Sequence, residues 1–156
     1  MKTTKLYNVM FPIWFLFVFP ITWLFIIPVN FLIDSAVIWA TIKRFKVESP
    51  FAFWKSKILF VWMFGFLADL IGALLIIGLY SLLVEIYPDL GSSLIRFPGT
   101  CLIAIPGVAL SGALIYFLNK KVSFKKTLLD KTQVHKLCLV LSCITAPYTM
   151  LIPLYW

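Results

Sequence analysis

Residues 31–75 read FLIDSAVIWATIKRFKVESPFAFWKSKILFVWMFGFLADLIGALL, and the fold depends on how this stretch meets a membrane. Two apolar runs flank a short basic segment. Each run carries one carboxylic acid, Asp34 before the segment and Asp69 after it. Lys43 follows Asp34 by nine residues, and Lys57 precedes Asp69 by twelve. At about 1.5 Å of rise per helical residue these separations are roughly 14 and 18 Å, close to half of a hydrocarbon core about 30 Å thick. A basic segment held at one membrane surface therefore puts both carboxylates near the midplane. An ionisable group is most costly there, and most often functional.

The rest of the chain has the same character. Of its 156 residues, 62% are hydrophobic and 13% charged, with a mean hydropathy of +1.01. A soluble domain carries about a quarter charged residues. The expected fold is an all-α, polytopic transmembrane helix bundle, a single integral membrane domain over residues 1–156. The formal charge of +8 comes from 14 basic and 6 acidic residues. These basic residues sit in short loops between apolar runs, which marks them as orientation signals and contacts to anionic head groups rather than a nucleic-acid surface. Lys43, Arg44, Lys55 and Lys57 in the first loop, and Lys120, Lys121, Lys125 and Lys126 in the second, are the candidate contacts to lipid head groups or to a partner protein.

Apolar runs place spans at about 9–27, 31–44, 58–87, 100–118 and 137–156. Lys2 and Lys5 precede the first run, and Lys43, Arg44 and Lys46 follow the second, so the positive-inside rule favours a hairpin turning at Pro28-Val29-Asn30. The alternative is one long helix kinked at proline, with four spans and an external N-terminus. The first run is too long for the apolar core of a signal peptide and is read as a retained span. Ser49-Pro50 suits a helix start, with serine capping and proline in the first turn. The segment 88–99, PDLGSSLIRFPG, holds one basic residue, Arg96, and is the expected external loop. The N-terminus is then cytoplasmic, in a bacterial inner membrane or a plasma membrane.

Asp34 and Asp69, with Asn30 and Ser35 nearby, are the candidate lining of a path for an ion or substrate. Ala68 and Gly72, like Gly107 and Ser111, are four residues apart. Small residues at that spacing let helix backbones approach closely. The cysteines Cys101, Cys138 and Cys143 show no metal-ligand spacing, and no metal or other cofactor is expected. His135, in the second basic loop, reads as a solvated residue. No Ser-His-Asp or Cys-His set can be built, and the motifs around Asp34 and Asp69 lack the tyrosine and glycine partners of intramembrane aspartyl proteases. The chain is therefore not expected to be an enzyme. It reads as a small transport or channel protein, homo-oligomeric because few short helices enclose a pore alone. The competing reading is a non-catalytic accessory subunit or scaffold in a membrane-protein complex, docking its partner through the basic loops.

Impermeant thiol labelling of single cysteines, introduced after the native three are replaced, checks the orientation. Position 125 should label only in inverted vesicles, and position 92 only from outside intact cells. Labelling of position 125 from outside would reverse the assigned orientation.

Overall fold

A computed structural model describes residues 20–127 and 129–152. These residues form five α-helices and no strand: α1 (Pro20–Arg44), α2 (Pro50–Ile86), α3 (Gly91–Leu94), α4 (Gly99–Leu118) and α5 (Lys131–Thr145). Among the described residues, three helical segments are long and apolar enough to cross a membrane: Pro50–Ile86, Gly99–Ser123 and Lys131–Leu151. This suggests a membrane location, with fewer such segments than the four to five spans expected.

The hairpin expected at 28–30 is not formed. Helix α1 runs through Pro28 without a break. Proline supplies no N–H and interrupts one helical hydrogen bond. In apolar surroundings, however, opening the backbone into a turn would free several polar groups at once, so a helix that loses one bond is the better solution. The indole N–H of Trp62 on α2 donates to the Ile27 carbonyl beside the proline at 3.3 Å. The part of the expected first span at 9–19 lies outside the described residues.

The basic loops are shorter than expected because the helices extend into them. Helix α2 begins at Pro50, the helix start expected at Ser49-Pro50, and runs unbroken into the span expected from 58, so Lys55 and Lys57 ride on its early turns. Ser49 precedes it but makes no side-chain cap. Helix α5 begins at Lys131 rather than 137. Asp130 Oδ1 accepts from the Lys131 N–H at 2.7 Å, and Gln133 Oε1 accepts from the Asp130 N–H at 3.1 Å. This reciprocal cap holds the first turn. Helix α5 stops at Thr145 because Ala146, which precedes Pro147, is extended with ψ 144°. A short 3-10 turn follows at Tyr148–Leu151, and residues 153–156 of the expected last span lie outside the described residues.

Helix α1 ends in a reverse turn. The Val47 N–H bonds the Ile42 carbonyl at 3.3 Å, and the Lys46 N–H bonds the Lys43 carbonyl at 3.1 Å. This pairing needs a left-handed residue at its centre, a place usually taken by glycine. Here Lys46 fills it, with φ 53°. Both basic segments end up at one end of the bundle. Phe53 of α2 stacks on Phe124 at a centroid distance of 6.2 Å, and Lys57 Nζ donates to the Lys126 carbonyl at 3.4 Å.

The tightest packing is between α2 and α4. A Cβ on Gly72 would lie 2.7 Å from the Gly107 carbonyl oxygen and would collide with Ser111 Oγ. A Cβ on Gly107 would lie 2.7 Å from the Gly72 carbonyl oxygen and would collide with the side chain of Ile76. Only glycine at both positions permits this crossing. The buried Ser111 hydroxyl donates to the Ala68 carbonyl at 3.0 Å. Ala68, Gly72, Gly107 and Ser111 thus form one α2–α4 contact. Gly72→Ala should destabilise the protein by about 1–3 kcal/mol through overpacking. Ser111→Ala should cost about 0.6 kcal/mol, the usual worth of an interhelical hydrogen bond in a membrane. Adding Ser111→Ala to Gly72→Ala should restore only part of the loss, since the Gly107 carbonyl remains in the way. Unfolding midpoints in detergent check the ranking, and a neutral Gly72→Ala would show that the crossing is looser than described.

Candidate functional site

The two acids are brought together inside the bundle. Asp34 and Asp69 are 2% and 5% exposed. The Asn30 amide donates to Asp69 Oδ2 at 3.3 Å, linking α1 to α2. One turn along α1, Asp34 lies against Gly65, where an added Cβ would sit 3.3 Å from Asp34 Oδ2. Gly65 is one turn from Asp69 along α2, so the two carboxyl groups differ in height by about one helical turn, ~5.4 Å. The glycine at 65 matters because any side chain there would press on the Asp34 carboxyl.

Partners are few. Asp69 Oδ1 is buried with no hydrogen-bond partner among the described residues. The side chain beside Asp34 is Thr145 of α5. Its hydroxyl donates to the Leu141 carbonyl at 2.9 Å. A hydroxyl has one proton, so Thr145 serves either Leu141 or Asp34 as donor at any moment. When it serves Leu141, it still offers Asp34 a lone pair, which a protonated carboxyl can use. The cluster thus gathers three polar side chains, Asn30, Asp34 and Asp69, from two helices, with the Thr145 hydroxyl from a third.

Ser35 is half-buried, and its buried hydroxyl has no hydrogen-bond partner among the described residues. It borders a separate groove with Ala36, Trp39, Phe51 and Trp54, so the structure does not bring it into the carboxyl cluster. Thr145 went unnoticed in the sequence because a lone threonine in an apolar run carries no distinguishing signal. Among the described residues no three His, Cys, Asp or Glu side chains gather to hold a metal ion. The cysteines are free: Cys138 is buried, Cys143 exposed, and the half-buried Cys101 donates to the Leu151 carbonyl at 3.4 Å.

At the basic end, Lys43 lies over the Trp39 ring at 5.2 Å. Lys120 Nζ donates to the Tyr116 hydroxyl at 2.8 Å. The same hydroxyl is 2.7 Å from His135 Nδ1. Having accepted from lysine, the phenol has its own proton left to give to His135. The histidine therefore has a partner, although it is exposed as expected. Arg44, Lys55, Lys121, Lys125 and Lys126 are exposed on the same end.

No family model, curated protein or solved structure matches the chain. What the fold and composition define, among the described residues, is an all-helical chain with three helical segments fit to cross a membrane.

A double-mutant cycle checks the α1–α2 clamp. Asn30→Ala should destabilise the wild-type background and be nearly neutral in Asp69→Leu, with a coupling of about 0.6 kcal/mol or more. Strict additivity would remove the clamp from the description.

Proposed function

We propose that the chain is a small membrane transport or channel protein in which Asn30, Asp34 and Asp69 form a polar station for a proton or small cation. In this reading α1 is a fourth crossing beside the three apolar segments, and the basic end faces the cytoplasm of a bacterial inner membrane or a plasma membrane. The observation that supports it is the buried Oδ1 of Asp69, without a hydrogen-bond partner among the described residues and one helical turn from a second buried acid. A clamp between α1 and α2 uses one carboxylate oxygen, and Asn30 bonds that one. The second oxygen adds nothing to such a clamp, and an isolated ion there would cost several kcal/mol. An oxygen with no protein donor among the described residues is open to an exchanging partner, whether a proton, a water or a cation. Four crossings packed as closely as α2 and α4 enclose no wide pore, so the path is completed between copies in a homo-oligomer.

The test is flux through purified protein in liposomes, measured with a proton- or cation-sensitive dye. Asp34→Asn and Asp69→Asn keep side-chain size and hydrogen-bonding capacity. Each should insert and fold with an unfolding midpoint near or above wild type, yet lose flux. Wild-type liposomes that stay silent, or an Asp69→Asn protein that conducts normally, would defeat the reading.

A second reading is supported by the exposure of Lys121 and Lys125. It makes the chain an accessory subunit held to a partner by its basic end. Silent liposomes favour it when another membrane protein co-purifies and Lys121→Glu with Lys125→Glu releases that protein.

A further inference from the structure

We infer that the basic end of the bundle holds a binding site for a phosphate-bearing anion. The site is a cavity of about 580 Å³ between the α1–α2 loop, the first turns of α2 and the segment leading into α5. That volume lies within the usual range for small-ligand sites. Lys46, Lys57 and Lys126 line it, against one acid, Glu48. Three ammonium groups less one carboxylate leave a net charge of +2. Lys57 gives one N–H to the Lys126 carbonyl at 3.4 Å and keeps the others free. Among the described residues, Lys46 and Lys126 have no acidic group paired with them.

The neutral groups on the wall add to the donors. Gln133 spends its oxygen on the Asp130 N–H at 3.1 Å, which leaves its NH₂ uncommitted. Ser49 also lines the cavity and makes no cap bond to α2, so its hydroxyl is available too. The first amides of the 37-residue helix α2, whose Ser49–Phe53 end borders the cavity, add a positive dipole end. The first turn of α5, by contrast, is closed by its own cap. A cavity with many donors and one acceptor selects a multiply charged oxyanion, and phosphate fits that description. Phe53 and Leu129 form apolar parts of the same wall, suiting the glycerol or acyl end of an ester.

Lys46 is the residue that separates a site from a merely charged surface. It occupies the left-handed position of the α1 terminus, where glycine would be less strained. Lys46→Gly therefore removes an ammonium group while relieving the backbone.

The phosphate has two possible sources, an anionic lipid head group or a soluble phosphate. Full-length protein in phosphatidylcholine nanodiscs is titrated with inorganic phosphate and with glycerol 3-phosphate by calorimetry. In parallel, nanodiscs doped with phosphatidic acid or phosphatidylglycerol are scored for retained lipid by native mass spectrometry. Binding in the first arm identifies a soluble ligand, and retention in the second identifies a lipid. Lys126→Gln and Lys46→Gly should each weaken the bound species about fivefold, and Lys46→Gly should unfold at the wild-type temperature or higher. Lys136→Gln, exposed and outside the cavity, should stay within about twofold of wild type. The site is overturned if neither source binds, or if Lys136→Gln weakens binding as much as Lys126→Gln does.

Discussion

A carboxylic acid inside an apolar bundle has few partners to choose from, and for Asp69 the cross-helix partner is the Asn30 amide at 3.3 Å. That bond ties α1 to α2. The Asp34 carboxyl lies against Gly65 one turn away, and Thr145 brings α5 to the same place. On the adjoining face of α2, Ala68 and Gly72 meet Ser111 and Gly107 of α4. The residues from 65 to 72 of α2 therefore do two jobs: their small members admit neighbouring helices, and Asp69 among them holds the polar group.

Much of this was legible in the sequence, and the missing parts have physical reasons. Helix α2 follows from uninterrupted apolar length, and α4 from an apolar run that stays helical through Pro106, where a break is expected. The four-residue spacing of Ala68–Gly72 and Gly107–Ser111 marked both as packing faces, though spacing alone does not say that they pack on each other. The hairpin expectation rests on basic residues at both ends of residues 9–42, with Pro28-Val29-Asn30 as its turn. In apolar surroundings the backbone instead keeps its internal hydrogen bonds, and Asn30 turns its amide to Asp69. The start of α5 was written into the residues, because Asp130 and Gln133 stand at capping-box spacing. Reading the surrounding lysines only as a loop hid it. Lys46 had no signal at all, since a left-handed turn residue is looked for among glycines.

The two ends of α2 differ in character. Near its start the helix is lined by lysines and borders a polar cavity. From Gly65 to Ala73 its buried residues have little or no side chain, except Asp69, and one turn further on Ile76 packs against Gly107 of α4. A chain with 62% hydrophobic residues concentrates its buried chemistry in very few places. The carboxyl cluster and the basic cavity are separate: one is enclosed by helices, the other open at the bundle end.

Infrared difference spectroscopy on reconstituted protein tests most directly whether the Asp34–Asp69 cluster exchanges a proton or cation. A step in pH or cation concentration across the liposome should produce a carboxyl-stretch difference signal. That signal should disappear in Asp69→Asn and shift in Asp34→Asn and Asn30→Ala, while the amide bands of the helices stay constant. A difference spectrum that Asp69→Asn leaves unchanged would mean that the buried acid takes no part in exchange and serves only to hold the helices together.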